Sequence, residues 1–398
     1  MTTTATDIFQ KMKEVLVPTY APSIALERGE GARVWDTEGR EYLDFLAGIA
    51  VCSSGHCHPA IVAAVREQAG KLMHVSNVFA IPNQVEAAER LTQLCFGEQV
   101  FFGNSGAEAI EGAFKLARRR QWVDGKTERT AFIAANNSFH GRTFAAVTAT
   151  GTPKYREGYG PMLPGVRHAP FNDLAAFEAE IGKGDVAAVV IEPIQGEGGV
   201  RPATEAFLKG LRAACDKAGA LLIFDEIQCG LGRTGRNFAH ERYGVTPDIM
   251  TLAKALGGGV PIGCFVTTKK IAEVMTPGTH ATTFGGNPLA TAAACAYLKL
   301  LVEERLAERA ENMGALLRKL LGDAVGTRDD VKEIRGLGLM IGIELTRPAL
   351  PVVAACAERG LLTARAGDNV LRLVPPLIIT EADCEKAVGI IAEAMGAG

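Results

Sequence analysis

Nowhere does the chain carry a run of about 18 apolar residues, so it holds no segment able to span a membrane as a helix. Its first residues, "MTTTATDIFQKMKEVLV", are too polar for the apolar core of a secretory leader. Nine cysteines are scattered without a single C-x-x-C pair, which suits reduced thiols better than a disulfide framework. A cytoplasmic setting is therefore expected. No charge of one sign dominates either: 42 basic against 45 acidic residues leave a net charge of −3, which argues against nucleic acid or an anionic membrane as partner. The one basic cluster, Arg118-Arg119-Arg120, closes a predicted helix and is read as a solvated C-terminus that the helix dipole favours. A phosphate-binding P-loop is missing as well. The only Gly-Lys-Thr, at 125–127, would need a glycine at position 120, where Arg120 stands.

What is present is an ordinary globular composition, 47% apolar and 22% charged, in a chain long enough for two or three domains. A short amphipathic helix is expected at 7–16, with Ile8, Met12, Val15 and Leu16 on one side. Strands and tight turns follow over 23–46, then a helix at 59–71 with Pro59 in its first position. From about 100 to 267, strand-like runs at 100–103, 130–135, 186–192, 220–226, 248–253 and 262–268 alternate with helices such as 106–121 and 204–218. Nearly continuous apolar strands of this kind indicate a mostly parallel sheet covered on both faces. A long helix at 287–303 leaves this region, and beyond it "GLGLMIGIEL" reads as one strand and 381–395 as a final helix. The expected organisation is a large α/β domain over 60–300 and a smaller α+β domain built from 1–59 and 301–398.

Four stretches raise chemical questions. In "IFDEIQCGLGRTG" (223–235) the glycines fit G-x-G-x-x-G, but Gly230 comes four residues after the strand and no periodic helix follows. A nicotinamide enzyme would rest on those glycines alone. His56-Cys57-His58 has metal-binding residue types, but neighbours on an extended chain face opposite ways, so a turn ahead of Pro59 is preferred. "FFGNSGAEA" runs from a buried strand through Ser105, a good N-cap with Glu108 at capping-box spacing, into a helix. That helix start is either a phosphate seat, with Gly106 giving access to free amides, or simply a capped helix. "MTLAKALGGGVPIG" places Lys254 just past an apolar strand among small residues. A lysine so placed has a depressed pKa and can attack a carbonyl, unless it merely snorkels to solvent. A phosphate seat, a strand-end Asp225 and a reactive lysine together meet the needs of pyridoxal 5′-phosphate: covalent attachment, and a carboxylate against the pyridinium nitrogen.

With these pieces the chain resembles the class III pyridoxal-phosphate aminotransferases of fold type I, over essentially its whole length. The matching motifs, in order, are "GHCHP" (55–59), "NSGAEA" (104–109), "SFHGRT" (138–143), "IEPIQGEGG" (191–199), "FDEIQCGLGRTG" (224–235), "TLAKALGGGVPIG" (251–263), "TTFGGNPLA" (282–290) and "RLVPPL" (372–377). The branch that handles acetylornithine is the most similar, with ornithine and succinylornithine enzymes nearby. The resemblance implies that Lys254 binds the cofactor covalently and then shuttles a proton, while Asp225 holds the pyridinium and Gln228 sits by the phenolic oxygen. It implies that Phe139 stacks on the ring. Ser105, Gly106 and Ala107 would hold the phosphate, joined by Thr282 or Thr283 from the partner subunit of a homodimer. Arg142 is implied to bind the donor's α-carboxylate and Arg372 to bind 2-oxoglutarate. Glu197 would pair with Arg372 while the basic donor is bound.

The implied reaction moves the δ-amine of N2-acetylornithine to 2-oxoglutarate, a step of arginine biosynthesis, with possible use of succinyl-diaminopimelate in lysine biosynthesis. Relatives acting on ornithine, succinylornithine or 4-aminobutyrate are the rival reading. A catalytically silent binding protein of the same fold is a further alternative. Two positions favour the N-acylated donor. Ornithine enzymes carry a tyrosine where Ile49 stands and an aromatic where Ala80 stands, so this pocket has room for an acyl group. "CSSGHCHP" departs from the family pattern at Cys52, Ser53 and Ser54.

Overall fold

Seven short strands set the architecture: β1 Gln99–Gly103, β2 Ala131–Ala135, β3 Val166–Ala169, β4 Val186–Ile191, β5 Leu221–Asp225, β6 Ile249–Leu252 and β7 Gly263–Thr267. They are taken from a computed structural model that describes residues 4–396. Every residue of β2 and β4 is buried, which requires helices on both faces. The side-chain period of two divides each strand between those faces. Ile133 and Ala135 pack with Phe207, Leu208 and Leu211, whereas Phe132 and Ala134 pack with Ile110, Phe114 and Ala117. The first helical set belongs to Glu205–Ala218 and the second to α1, Gly106–Val123. Glu205–Ala218 is capped by Thr204, whose hydroxyl accepts from Phe207 N, and closes at Gly219 with φ 67°, a left-handed cap that glycine adopts without strain.

The sheet order is β1-β7-β6-β5-β4-β2-β3. β6, β5, β4, β2 and β3 pair in parallel; β7 runs antiparallel between β6 and β1. The carboxyl ends of β1, β2, β4, β5 and β6 therefore lie along one edge of the sheet, where ligands of open α/β folds bind.

Both chain ends build smaller sheets. Leu26–Glu30, Arg33–Asp36 and Glu41–Asp44 form an antiparallel meander, and its last strand pairs in parallel with Leu361–Leu362. "GLGLMIGIEL" is not one strand but a hairpin, Val331–Leu337 with Met340–Leu345, because Gly338 and Leu339 form its turn. The second arm pairs with Val370–Leu373, the strand that carries Arg372. Helix Ala5–Val15 has a reciprocal capping box between Thr4 and Asp7 but buries none of its residues. In His56-Cys57-His58, His58 is the N-cap of helix Pro59–Ala69, its Nδ1 accepting from Ala60 N at 3.3 Å. No metal-ligand cluster occurs among the described residues.

One strained segment leads towards the strand ends. Ala47, Gly48, Ile49 and Ala50 all have positive φ, between 52° and 66°, a left-handed turn that is rare for L-residues and most of all for a β-branched one. Asp44 holds its start: one carboxylate oxygen accepts from Leu46 N at 2.8 Å and Ala47 N at 2.9 Å. The other lies 2.7 Å from His56 Nε2. The bond to Asp44, with a smaller one to Cys52, outweighs burial and raises His56 to about 10. The folded-state pKa lies above the unfolded one, so this pair adds stability that is complete below pH 6.5 and lost as pH rises through 10. The thermal midpoint of the native chain should exceed that of His56→Gln by a few degrees near pH 6, and the gap should close towards pH 10, as read by calorimetry. A gap that stays constant with pH would exclude this pair as the anchor of the turn.

Candidate active site

The strand ends meet around a cavity of about 360 Å³. β1 passes through Asn104 and Ser105 into α1; β5 ends on Asp225; Lys254 stands two residues past β6. β2 leads towards Phe139 and His140, and Glu192 directly follows β4. Of the residues expected from sequence, Ser105, Gly106, Ala107 and Phe139 form part of the cavity wall. So do Glu197, Asp225, Gln228 and Lys254.

Asp225 is buried, so its charge needs partners. One oxygen accepts from Ile227 N at 3.1 Å and faces Thr251 Oγ1 at 3.4 Å; the other meets His140 Nδ1 at 2.7 Å. Burial works against a charged His140, but the bond to Asp225 and the charges of Asp225 and Glu192 prevail and raise its pKa. Beside them Glu192 accepts from Phe139 N at 3.1 Å and Gly196 N at 3.2 Å. Burial, reinforced by Asp225, pushes Glu192 up to about 7. Neither His140 nor Glu192 was singled out from sequence. Both lie in motifs quoted above, but only the fold shows that the strand β4 delivers one and the loop after β2 the other to Asp225.

Lys254 opens a 3₁₀ turn with φ 42°, a left-handed conformation of the kind that collects at functional sites. Burial lowers its pKa, Glu197 opposes that and Arg372 adds to it. Lys254 is therefore an amine that gives up its proton readily, not a snorkelling surface lysine. Across the cavity Arg372 is buried and ion-paired through Nη1 with Glu197, and the same nitrogen lies 3.4 Å from Gln228 Oε1.

The helix start is built as a cradle. Ser105 Oγ accepts from Glu108 N at 3.3 Å, but Glu108 does not complete the box at Ser105. Its carboxylate reaches one residue further back, accepting from Asn104 N at 2.8 Å and Asn104 Nδ2 at 2.9 Å. First-turn amides of a helix have no intrahelical acceptor, so those of Gly106 and Ala107 suit an anion at the cavity wall. A Cβ on Gly106 would lie 2.8 Å from Ile227 Cδ1; the glycine is required by Ile227 lying over the helix start as well as by any ligand. These amides, the Asp225 carboxylate and the Lys254 amine fit the phosphate, the ring nitrogen and the aldehyde of pyridoxal phosphate in turn.

Other expected residues lie outside the cavity wall. Arg142 is exposed, its guanidinium 3.9 Å from the Tyr155 ring centroid and 5.3 Å from that of Phe139. Glu111 steadies the segment that bears it, accepting from Thr143 Oγ1 at 2.6 Å and Ala145 N at 3.1 Å. Thr282 Oγ1 accepts from Asn104 Nδ2 at 3.4 Å within the same chain, and Thr283 is exposed. Ile49 and Ala80 are exposed too.

With this geometry in hand, residues 17–395 match the model of the family described as aminotransferase class-III. The chain is 50% identical over 384 residues to acetylornithine aminotransferase 1 of Bradyrhizobium diazoefficiens, covering 96% of this chain and 95% of that one. It is 47% identical over 387 residues to an acetylornithine/succinyldiaminopimelate aminotransferase of Yersinia pestis, covering 96% and 95%. Among solved structures, the ornithine aminotransferase of Toxoplasma gondii superposes with a TM-score of 0.96 at 37% identity, covering 99% of this chain and 95% of that one.

The Arg372–Glu197 pair yields a stability test that needs no substrate. Arg372→Ala leaves Glu197 facing the other carboxylates without its cation and should cost about 1–3 kcal/mol, less than a fully buried pair because Glu197 reaches solvent. Adding Glu197→Ala should restore part of that loss in urea unfolding. Additive losses in the double variant would mean that the pair is not coupled in solution.

Proposed function

Because the chain belongs to the class-III aminotransferases, a family that works with pyridoxal 5′-phosphate, we propose that it moves the δ-amine of N2-acetylornithine to 2-oxoglutarate. The products are N-acetylglutamate semialdehyde and glutamate. The observation that carries this reading is the ion pair of Arg372 with Glu197 beside Lys254. One site that takes a basic donor and then a dianion needs a cation that can be masked and unmasked. Bound pyridoxal phosphate supplies an aldehyde and an electron-withdrawing ring; the chain supplies the rest.

The Lys254 amine, held below its ordinary pKa by burial, is the group that would hold the cofactor through its aldehyde. Released, its Nζ takes and returns the proton at the carbon bearing the amine. Asp225, oriented and charge-balanced by His140, keeps the ring nitrogen protonated. Ser105, Gly106 and Ala107 would seat the phosphate, Phe139 would cover the ring and Gln228 would serve its phenolic oxygen. Arg142 takes the donor's α-carboxylate, so that the far amine, not the α-amine, reaches Lys254. Arg372 takes 2-oxoglutarate once Glu197 withdraws, a guanidinium fork matching a carboxylate. Ile49 and Ala80 in place of aromatics leave room for the acetyl group.

The working form is read as a homodimer in which Thr282 or Thr283 of the partner completes the phosphate seat. Val15 at the end of the first helix, Leu16, Val17 and Tyr20 just after it, and the exposed Val78 and Phe79 supply apolar surface for such a contact. Residues 60–300 are proposed as the large domain, with 1–59 and 301–398 forming the small one. Nine free thiols suit the reducing cytoplasm.

Three measurements test this. In a kcat/KM panel, acetylornithine should exceed succinylornithine, ornithine and 4-aminobutyrate; ornithine in first place would transfer the chain to the rival branch. Lys254→Ala should abolish turnover and the cofactor's fixation by borohydride. Arg142→Ala should raise the acetylornithine KM about 10- to 100-fold with little change for 2-oxoglutarate. The opposite pattern would exchange the roles of the two arginines.

A further inference from the structure

The basic cluster read from sequence as a solvated helix end is divided by the fold into two environments. Arg120 turns to one side and is satisfied by carboxylates, Asp124 at 2.6 Å and Glu273 at 2.7 Å. Arg118 and Arg119 turn to the other. There, with Lys115, Lys126 and Arg129, they line a second cavity of about 350 Å³ beside the exposed ring of Trp122. None of these five cations forms an ion pair with any carboxylate among the described residues. Their only partners are neutral. Arg118 donates to Thr130 O and Pro164 O, Arg119 to Val274 O, and Arg129 to Ala218 O and Gly219 O, while Lys115 Nζ lies 2.9 Å from His280 Nδ1. Arg129 Nε is buried without any partner. Of the acids close to these residues in sequence or along the helix, Asp124 is engaged by Arg120 and Glu111 by Thr143 and Ala145, as is Glu273 by Arg120. Glu128, between Thr127 and Arg129, is exposed and pairs with none of the five.

Five cations in so small a space repel one another, and in a chain of net charge −3 the acids to relieve them were available elsewhere. A multiply charged anion would relieve that repulsion, and guanidinium groups match phosphate oxygens in geometry. The indole of Trp122, 61% exposed on the rim, offers a flat face on which a base can stack. Apart from the hydroxyls of Thr127, Thr130 and Thr279 and the indole N–H of Trp122, the wall offers no neutral N–H or O–H side chain with which to discriminate one base from another. The volume lies in the range of small-ligand sites. We propose that this cavity binds a nucleoside di- or triphosphate, its phosphates among Lys115, Arg118, Arg119, Lys126 and Arg129 and its base on Trp122, without choosing between bases. The site is separate from the cavity of Lys254 and shares none of its wall residues.

Calorimetric titration of the pyridoxal-phosphate-loaded enzyme with ATP, GTP and tripolyphosphate tests it, since the loaded enzyme has its own phosphate seat filled. ATP and GTP should each saturate one site per chain with similar affinity, weakening as salt rises. Lys115→Gln/Lys126→Gln removes charge where few structural bonds are lost, and should weaken both nucleotides and tripolyphosphate by about tenfold or more. Trp122→Ala should weaken the nucleotides by about tenfold and leave tripolyphosphate unchanged. Both variants should keep full transamination without nucleotide, which shows that they fold. Absence of saturable ATP binding, or binding indifferent to the lysine changes, would overturn the proposal. ATP binding no more tightly than tripolyphosphate, with its affinity unmoved by Trp122→Ala, would overturn the nucleotide assignment.

Discussion

The carboxylate of Asp225 is the constraint around which the rest of the site is organised. It lies at the end of the middle strand of a buried sheet, where an unpaired charge would be prohibitively costly. His140 supplies the counter-charge from the loop after β2, and the backbone of Ile227 and the hydroxyl of Thr251 supply the remaining bonds. That arrangement also acts on its neighbours. Burial drives Glu192 towards its neutral form, with His140 opposing and Asp225 adding to the shift, and burial lowers the pKa of Lys254, with Glu197 opposing and Arg372 adding. The lowered pKa of the lysine thus follows first from its burial and only then from the charges around it.

A second buried cation holds the small sheets to this site. Arg233 of "GLGRTG" is fully buried and donates to Leu339 O at 3.0 Å, Pro375 O at 2.5 Å and Ser53 Oγ at 2.9 Å. Burial lowers its pKa to about 10, which leaves it charged at neutrality. One guanidinium therefore ties the loop after Asp225 to the C-terminal hairpin, to the segment just past Arg372 and to the turn after Ile49. The glycines that imitate a dinucleotide fingerprint belong to the loop that brings this arginine inside. Ser53, a departure from the family pattern, is one of its three acceptors.

Much of this was legible in the sequence because each signal was local. Apolar runs marked six strands of the large sheet within a residue or two but not β3, Ser105 marked a helix start, and Lys254 among small residues marked an amine whose pKa burial lowers. What escaped depended on contacts far apart in sequence. His140 meets Asp225 across 85 positions and Arg233 meets Pro375 across 142. "GLGLMIGIEL" looked like one strand because its turn, Gly338-Leu339, retains an apolar residue that is buried against the core. The arginine run at 118–120 looked uniform because sequence does not show which way successive side chains turn on a helix whose environment is unknown.

The Arg372–Glu197 pair shows why one partner and not the other is suited to move. Arg372 sits in a strand paired on both sides, opposite Gly342 and Ala364, and its side chain is buried. Displacing it would break two ladders. Glu197 sits in the connection between Ile194–Gln195 and Arg201–Pro202, flanked by Gly196 and Gly198, with part of its carboxylate side chain in solvent. Turning Glu197 outward moves a charge into water, where it needs no partner, and frees a guanidinium that is already held in place. In the proposed reaction a dianionic acceptor then supplies the negative charge that Glu197 withdraws, so the buried charge balance around Asp225 is kept while the substrate changes. Rigidity at Arg372 and freedom at Glu197 are both properties of where the backbone places them, and in the proposed reaction together they would let one cavity serve two unlike substrates.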